Sequence, residues 1–174
     1  WHMEQSGWKA AVVTFSDKGY AGEREDKSGP LLCKMLEEEG YEVTEHLLLP
    51  DDQKQIEKCL CTLCDEKRNN LILTTGGTGF APRDCTPEAT LAVGERNVPG
   101  IAEAMRSASM KITPRAMLSR GISVIRGNTL IINLPGSPKA AKENLEAVLP
   151  ALGHGLEILS GTGGECAVPL KENQ

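Results

Sequence analysis

The sequence predicts an α/β fold of three layers: a mostly parallel sheet, helices on both of its faces, and a small β-hairpin. Three observations lead there. Short apolar, partly β-branched runs alternate with amphipathic helical stretches, the pattern of parallel strands joined by helical crossovers. Leu71-Ile72-Leu73-Thr74-Thr75 is a buried-strand run that breaks into Gly76-Gly77-Thr78-Gly79 and then into a helix start. Asn133-Leu134-Pro135-Gly136-Ser137-Pro138 is a second strand-to-helix elbow of the same kind.

Each element follows from local chemistry. Residues 8–15, WKAAVVTF, form the first strand, and the Gly-, Asp- and Ser-rich stretch 16–29 is a loop. Ser28-Gly29-Pro30 opens a helix through Glu39 that places Leu31, Leu32, Met35 and Leu36 on one face, and Gly40 closes it. Residues 41–49 are the second strand, stopped by Pro50-Asp51-Asp52, where Asp51 or Asp52 can cap a helix over 53–67. Asn69-Asn70 turn the chain into the central strand 71–75. Beyond the glycine loop, Thr86 is the expected N-cap and Pro87 the first residue of a helix running to Gly94. Val98-Pro99-Gly100 breaks that stretch; residues 101–110 form another helix and 114–119 a further helical turn or two. Residues 121–125 and 129–134 pair as a hairpin around Gly127-Asn128. Ser137 caps and Pro138 starts the last helix, which runs to Leu159 with a kink or break expected at Pro150.

Residues 8–160 therefore read as one domain, with residues 1–7 an N-terminal extension and 161–174 an irregular tail in which Ala167-Val168-Pro169-Leu170 packs back. Trp1 and His2 read as a cloning remnant before Met3, the expected start.

Composition narrows the function. The 174 residues carry a net charge of −5 with 40% hydrophobic and 25% charged residues, ordinary values for a globular protein. Without a basic surface, nucleic acid is not the expected partner, and 3% aromatic residues leave few platforms for stacking bases. No stretch approaches the ~20 apolar residues that span a bilayer, and no signal peptide opens the chain. A cytoplasmic location and reduced cysteines are expected. The run Cys59, Cys61, Cys64 falls in a helix where Cys59 and Cys61 do not share a face, so ordinary thiols are expected rather than a metal site.

In an open parallel sheet, ligands bind outside the carboxyl ends of the strands. The loops 16–29, 50–52, 76–84 and 133–138 should meet there. They bring Asp17, Asp26, Asp51, Asp52, Asp84 and Glu88 together with Ser16, Thr75, Thr78 and Ser137, while Arg24, Lys27, Arg83 and Lys139 supply positive charge. Glycine loops at helix starts suit phosphate, and several carboxylates beside a phosphate call for a hard cation such as Mg²⁺. The chemistry expected is metal-assisted phosphoryl or nucleotidyl transfer. His46 and His154 fall outside these loops, which argues against a histidine-activated nucleophile. Structural roles remain open for several of these groups. Asp51 and Asp52 suit a helix cap, Arg83-Asp84 a surface pair, Asp17 and Asp26 plain loop positions, and Ser137 a cap whatever it binds.

With these residues assembled, the chain resembles the molybdopterin adenylyltransferases of the MogA/MoaB family, whose domain also occurs in gephyrin and in plant G domains. The motifs that carry the resemblance run from about Lys9 to Leu159. They are Ser16-Asp17 with Gly22-Glu23-Arg24-Glu25-Asp26 and Ser28-Gly29-Pro30; Pro50-Asp51-Asp52; Thr74 through Gly79 with Pro82-Arg83-Asp84 and Thr86-Pro87-Glu88-Ala89-Thr90; Pro99-Gly100; Leu118-Ser119-Arg120; and the elbow 133–138. The resemblance implies a MogA-like fold and a reaction in which the terminal phosphate of molybdopterin attacks the α-phosphorus of ATP. Adenylyl-molybdopterin forms and pyrophosphate leaves. It implies that Asp51 and Asp84 are the catalytic pair and the Mg²⁺ ligands. It further implies that Thr75, Gly76, Gly77, Thr78, Gly79, Asn133, Pro135, Gly136 and Ser137 hold the nucleotide phosphates, and that Ser16, Asp17 and Ser119 lie on the pterin side. A homotrimer and a molybdenum-insertion protein as partner are expected by the same analogy. Cys85 stands where the family usually has Val, and Asp52 where Glu is common. The alternatives are a molybdopterin-binding protein without turnover and a scaffold of the same fold.

Overall fold

A computed structural model describes residues 7–161. The expectations for Trp1 to Met3, for the packing of Ala167 to Leu170 and for Cys166 lie outside the described residues. In chain order the elements are β1 (Lys9–Phe15), α1 (Asp17–Tyr20), α2 (Ser28–Glu38), β2 (Glu42–Leu49), α3 (Gln53–Cys61) with a π-helical turn (Thr62–Glu66), and β3 (Leu71–Thr75). They continue with α4 (Thr86–Val93), β4 (Arg96–Asn97), α5 (Pro99–Met110), a 3-10 helix (Pro114–Leu118), β5 (Ser123–Arg126), β6 (Thr129–Leu134) and α6 (Pro138–Leu159).

The six strands form one sheet in the order β2-β1-β3-β6-β5-β4. β2, β1, β3 and β6 are parallel; β5 pairs antiparallel with β6, and β4 with β5. The predicted α/β class, mostly parallel sheet and hairpin are all present. Strand side chains alternate between two cores, as the two-residue period requires. Ala10, Val12, Leu71, Leu73, Leu130, Ile132 and Leu134 pack under α2, α5 and α6, through Leu32, Leu36, Met105, Leu145 and Leu152. Ala11, Val13, Phe15, Ile72 and Ile131 pack under α3 and α4, through Ile56, Leu60, Ala89 and Val93. The helix after β1 thus covers one face and the helix after β3 covers the other. Adjacent β1 and β3 feed helices on opposite faces, so a crevice opens at their carboxyl ends.

Several local expectations shift. The loop after β1 contains the one-turn helix α1, capped by the Ser16 hydroxyl, which accepts the Gly19 N–H. Thr86 is not the N-cap of α4. That position is Cys85, and the Thr86 hydroxyl donates instead to the Gly76 carbonyl at 2.9 Å. α5 starts at Pro99 rather than after the Pro-Gly pair, because proline fits a first helical turn. The two-residue edge strand β4 carries no sequence signal of its own. α6 continues through Pro150, which lies with Glu146 on the exposed face; the carbonyl left without an i+4 donor belongs to Glu146.

Candidate active site

The carboxyl ends of β1, β2, β3 and β6 surround a cavity of about 860 Å³. Two strand-to-helix elbows form its floor, and they fit only because of glycine. Gly76 has φ +97°, and a Cβ there would overlap the Phe15 carbonyl oxygen. Gly77 has φ +69°, and a Cβ there would overlap the Thr86 hydroxyl. The elbows are bolted together. The Thr75 hydroxyl donates to the Pro135 carbonyl at 2.6 Å, the Gly76 N–H to the Leu134 carbonyl at 3.1 Å, and the Ser28 hydroxyl to the Gly136 carbonyl at 2.6 Å. Ser137 caps α6 through the Ala140 N–H, so the amino end of a 22-residue helix faces the cavity rim.

The acidic residues divide by role. Asp52 caps α3 by accepting the Gln55 N–H at 3.0 Å, which resolves the open choice of cap and leaves Asp51 unused for it. Asp51 and Asp17 clasp each other. The Asp17 N–H donates to Asp51 Oδ2, and the Asp51 N–H to Asp17 Oδ1, each at 3.0 Å. Arg83 closes this clasp through Nε and Nη2 to the Asp17 carboxylate and through Nη2 to the Asp51 carbonyl at 2.9 Å. Its guanidinium holds the Asp17 carboxyl below the usual aspartate range. Asp51 Oδ1, by contrast, is buried with no hydrogen-bond partner. Burial pushes the Asp51 carboxyl up, and the nearby Asp17 and Asp84 charges add to the push. Asp84 also lines the cavity, its Oδ2 accepting the Gly79 and Ala81 N–H groups at 3.1 Å.

Of the residues singled out from sequence, Ser16, Asp51, Thr75, Gly76, Gly77, Thr78, Gly79, Asp84, Gly136 and Ser137 line this one cavity. Asp17 sits beside it in the clasp. Pro135 contributes its carbonyl to the elbow joint. Asn133 is buried behind the floor. It donates to the Thr74 and Thr90 hydroxyls at 3.0 Å and accepts the Ile122 N–H, tying β6 to β3, α4 and the segment before β5. Ser119 accepts the Gly121 N–H, and its carbonyl takes Arg106 at 3.3 Å, away from the cavity lining.

Two groups escaped the sequence reading. Arg120 braces the glycine loop. Its Nε donates to the Gly79 carbonyl at 2.8 Å, Nη2 to the Asp84 carbonyl at 3.0 Å and Nη1 to Glu88 at 2.6 Å. Its place in the Leu118-Ser119-Arg120 motif was the available signal. His46, set aside because it lies inside a strand, reaches Asp26 at the cavity wall, Nε2 to Oδ2 at 3.0 Å. No linear signal pairs a residue of one strand with a loop twenty positions earlier. Among the described residues no cluster of three or more His, Cys, Asp or Glu side chains could hold a metal, and the five cysteines are free thiols. Burial raises the thiols of Cys33 and Cys59 to about 11 and of Cys64 to about 12, which makes them inert.

The chain and its fold have known relatives. Residues 11–154 match the family described as a probable molybdopterin binding domain. The chain is 47% identical over 149 residues to the molybdopterin adenylyltransferase of Escherichia coli K12, covering 84% of this chain and 76% of that one. It is 49% identical over 142 residues to the Haemophilus influenzae enzyme of the same name, covering 80% and 72%. Among solved structures, the molybdopterin biosynthesis enzyme MoaB of Thermus thermophilus superposes with a TM-score of 0.85 at 49% identity, covering 88% of this chain and 97% of that one. The chain belongs to the molybdopterin-binding domain family, with the molybdopterin adenylyltransferases of the MogA/MoaB type among its relatives.

Proposed function

We propose that the protein is a molybdopterin adenylyltransferase of molybdenum cofactor biosynthesis. It transfers AMP from ATP to the terminal phosphate of molybdopterin and releases pyrophosphate. The observation that carries the reading is Asp51: a carboxylate oxygen buried without a partner in a glycine-floored cavity of about 860 Å³, with Asp84 in the same lining. A lone buried carboxylate oxygen is costly unless a cation or donor arrives with the ligand. Relatives of 43–49% identity that bear the name molybdopterin adenylyltransferase support the same reading.

The residues divide the work as follows. The Gly76–Gly79 loop, through the Gly77 and Thr78 N–H groups and with the amino end of α6 at Ser137, holds and orients the nucleotide phosphates, while the Gly76 and Gly79 N–H groups fix the loop on the Leu134 carbonyl and Asp84. The Asp17–Asp51–Arg83 clasp fixes the loop ends of β1 and β2, and Arg120 fixes the loop that carries Asp84. A phosphate oxygen of molybdopterin forms a bond to the α-phosphorus as the bond to the bridging oxygen breaks, and the electron pair leaves with pyrophosphate. No proton need move from the nucleophile, consistent with a site that has no free histidine at its floor. Asp51 and Asp84 fit Mg²⁺, which typically takes one or two carboxylates and completes its shell with water and substrate phosphates. When bound it supplies charge neutralisation on the phosphates. Ser16, Asp17 and Ser119 are assigned to the pterin side.

The same reading places the enzyme in the cytoplasm as a homotrimer that passes its product to a molybdenum-insertion protein. Exposed Leu91, Ile112, Met117 and Leu118 supply apolar surface for subunit contact. Among the described residues no helix is long and apolar enough to cross a membrane. The test is pyrophosphate release with ATP, Mg²⁺ and molybdopterin, wild type beside Asp84→Asn. Release by the wild type alone is expected. No release by the wild type, with molybdopterin still bound, overturns the transferase reading.

A further inference from the structure

We propose that residues 24–28 form a fixed anion-binding wall in which Arg24 and Lys27 hold the polyphosphate of the nucleotide, and that His46 is the positioning residue that locks this wall through Asp26. All five residues of the segment line the cavity, although the chain there has no regular structure before Ser28. A wall without backbone ladder bonds needs a side-chain anchor, and Asp26 is that anchor. Its Oδ1 accepts the Gly29 N–H at 2.9 Å. Its Oδ2 accepts the Thr14 hydroxyl at 2.8 Å and faces His46 Nε2 at 3.0 Å. A carboxylate only accepts, so with the Thr14 hydroxyl donating to Oδ2, the Nε2 contact is a hydrogen bond in the tautomer that carries the ring proton on Nε2. Gly29 lies against this contact. A Cβ there would overlap His46 Nε2, and it would come within 2.5 Å of Asp26 Oδ2. The ring reaches Asp26 because the position is glycine.

Three donors on Asp26 satisfy its charge locally, so it does not compete with a substrate for the neighbouring cations. Arg24 and Lys27 are the cations in the cavity lining. Neither makes a hydrogen bond or salt bridge with any described residue, whereas Arg83 is taken by Asp17 and Arg120 by Glu88. Glu25 stands between them in the lining. The wall is joined to the second elbow by the Ser28 hydroxyl on the Gly136 carbonyl, so it flanks the amino end of α6. An anion at that helix end therefore lies beside the wall, which favours the nucleotide phosphates as its ligand. This inference rests on the proposed use of the elbow for ATP.

The test reads binding rather than turnover. An ATP analogue with a methylene bridge between the α- and β-phosphorus, with Mg²⁺, is titrated calorimetrically into wild type, Arg24→Gln, Lys27→Gln, His46→Leu, His46→Gln and the double variant His46→Leu/Lys27→Gln. Each glutamine substitution in the wall and His46→Leu should weaken binding by about five-fold, the scale of one exposed charge contact. His46→Gln keeps an N–H for Asp26 and should bind within about two-fold of wild type. The double variant should lose less than the product of the two single losses, because His46→Leu acts in part through the Lys27 contact that Lys27→Gln has already removed. Wild-type affinity in His46→Leu, multiplicative losses in the double variant, or His46→Gln as weak as His46→Leu would each overturn the positioning role. Unchanged affinity in both wall variants would overturn the wall. A protein that releases no pyrophosphate yet shows these binding losses keeps the wall and loses the transferase.

Discussion

Asp51→Asn separates a catalytic from a structural aspartate most sharply. The carboxyl of Asp51 is pushed up by burial, then by the Asp17 and Asp84 charges, against the opposing Asp17 N–H bond and Arg83. A carboxyl whose folded pKa lies above its unfolded value penalises the folded protein wherever it is ionised. That penalty is fully present above the folded pKa and fades as pH falls toward the ordinary value of 3.8. Asparagine keeps an oxygen for the Asp17 N–H and removes the buried charge. The unpartnered Oδ1 is replaced by a neutral amide, so the gain is the difference between burying an unpaired charge and an unpaired neutral group. About 1 kcal/mol is a reasonable size for that difference, since unsatisfied buried groups cost about 1–3 kcal/mol. For a chain of this length that raises the melting midpoint by about 2–4 °C. Melting followed by circular dichroism at pH 7 without Mg²⁺ should show the variant above wild type, with the gap closing as pH falls toward 3.8. Adding Mg²⁺ should raise only the wild type, by about 1.4 kcal/mol at ten times its dissociation constant. Pyrophosphate release should vanish in the variant. A variant that melts several degrees below wild type at pH 7 would refute the reasoning and return Asp51 to a structural role.

Three further outcomes follow from named contacts. Gly76→Ala must relieve an overlap with a backbone oxygen at positive φ and should lose at least about 2 kcal/mol, read as a drop in the urea midpoint. Asn133→Ala leaves the Thr74 and Thr90 hydroxyls and the Ile122 N–H without their partner. It should lose about 2–4 kcal/mol, while the affinity of the surviving folded protein for the ATP analogue changes less than two-fold. Arg120→Lys replaces a three-way fork by a single ammonium. It should lower kcat for pyrophosphate release at least ten-fold with little change in melting, since the brace positions the Asp84 loop more than it stabilises the fold. Because Arg120 holds the Glu88 carboxyl below its usual range, the pair's stabilisation exists above pH 4.5 and is lost as pH falls through the lower folded value.

The sheet and its helices were legible because their causes are local. Leu71–Thr75 is apolar and short, Ser137-Pro138 is a cap followed by a first-turn proline, and Gly40 ends a helix. The convergence of the four loops also followed, since a parallel α/β sheet places them at one end whatever their residues. The edge strand β4 has no signal of its own because a two-residue pairing is set by its neighbour β5, and α5 starts at Pro99 because a Pro-Gly pair that reads as a break also fits a first helical turn. Thr86 has the residue type of a helix cap. Its hydroxyl is instead spent on the Gly76 carbonyl, a contact that exists only once the glycine loop has folded back on α4.

The sequence by itself determined the fold class, the family and the inventory of acidic and glycine-rich loops, because periodicity, turn residues and ordered motifs are properties of the chain. Tertiary structure alone decided how the acids divide. Asp52 took the cap, Asp17 and Arg83 took the clasp, and Asp51 was left with a buried oxygen and no partner. It also decided that Asn133 braces the floor and that His46 reaches Asp26 across β1. Apart from the local Asp52 cap, those outcomes depend on distances between residues tens of positions apart, and no local pattern in the chain encodes them.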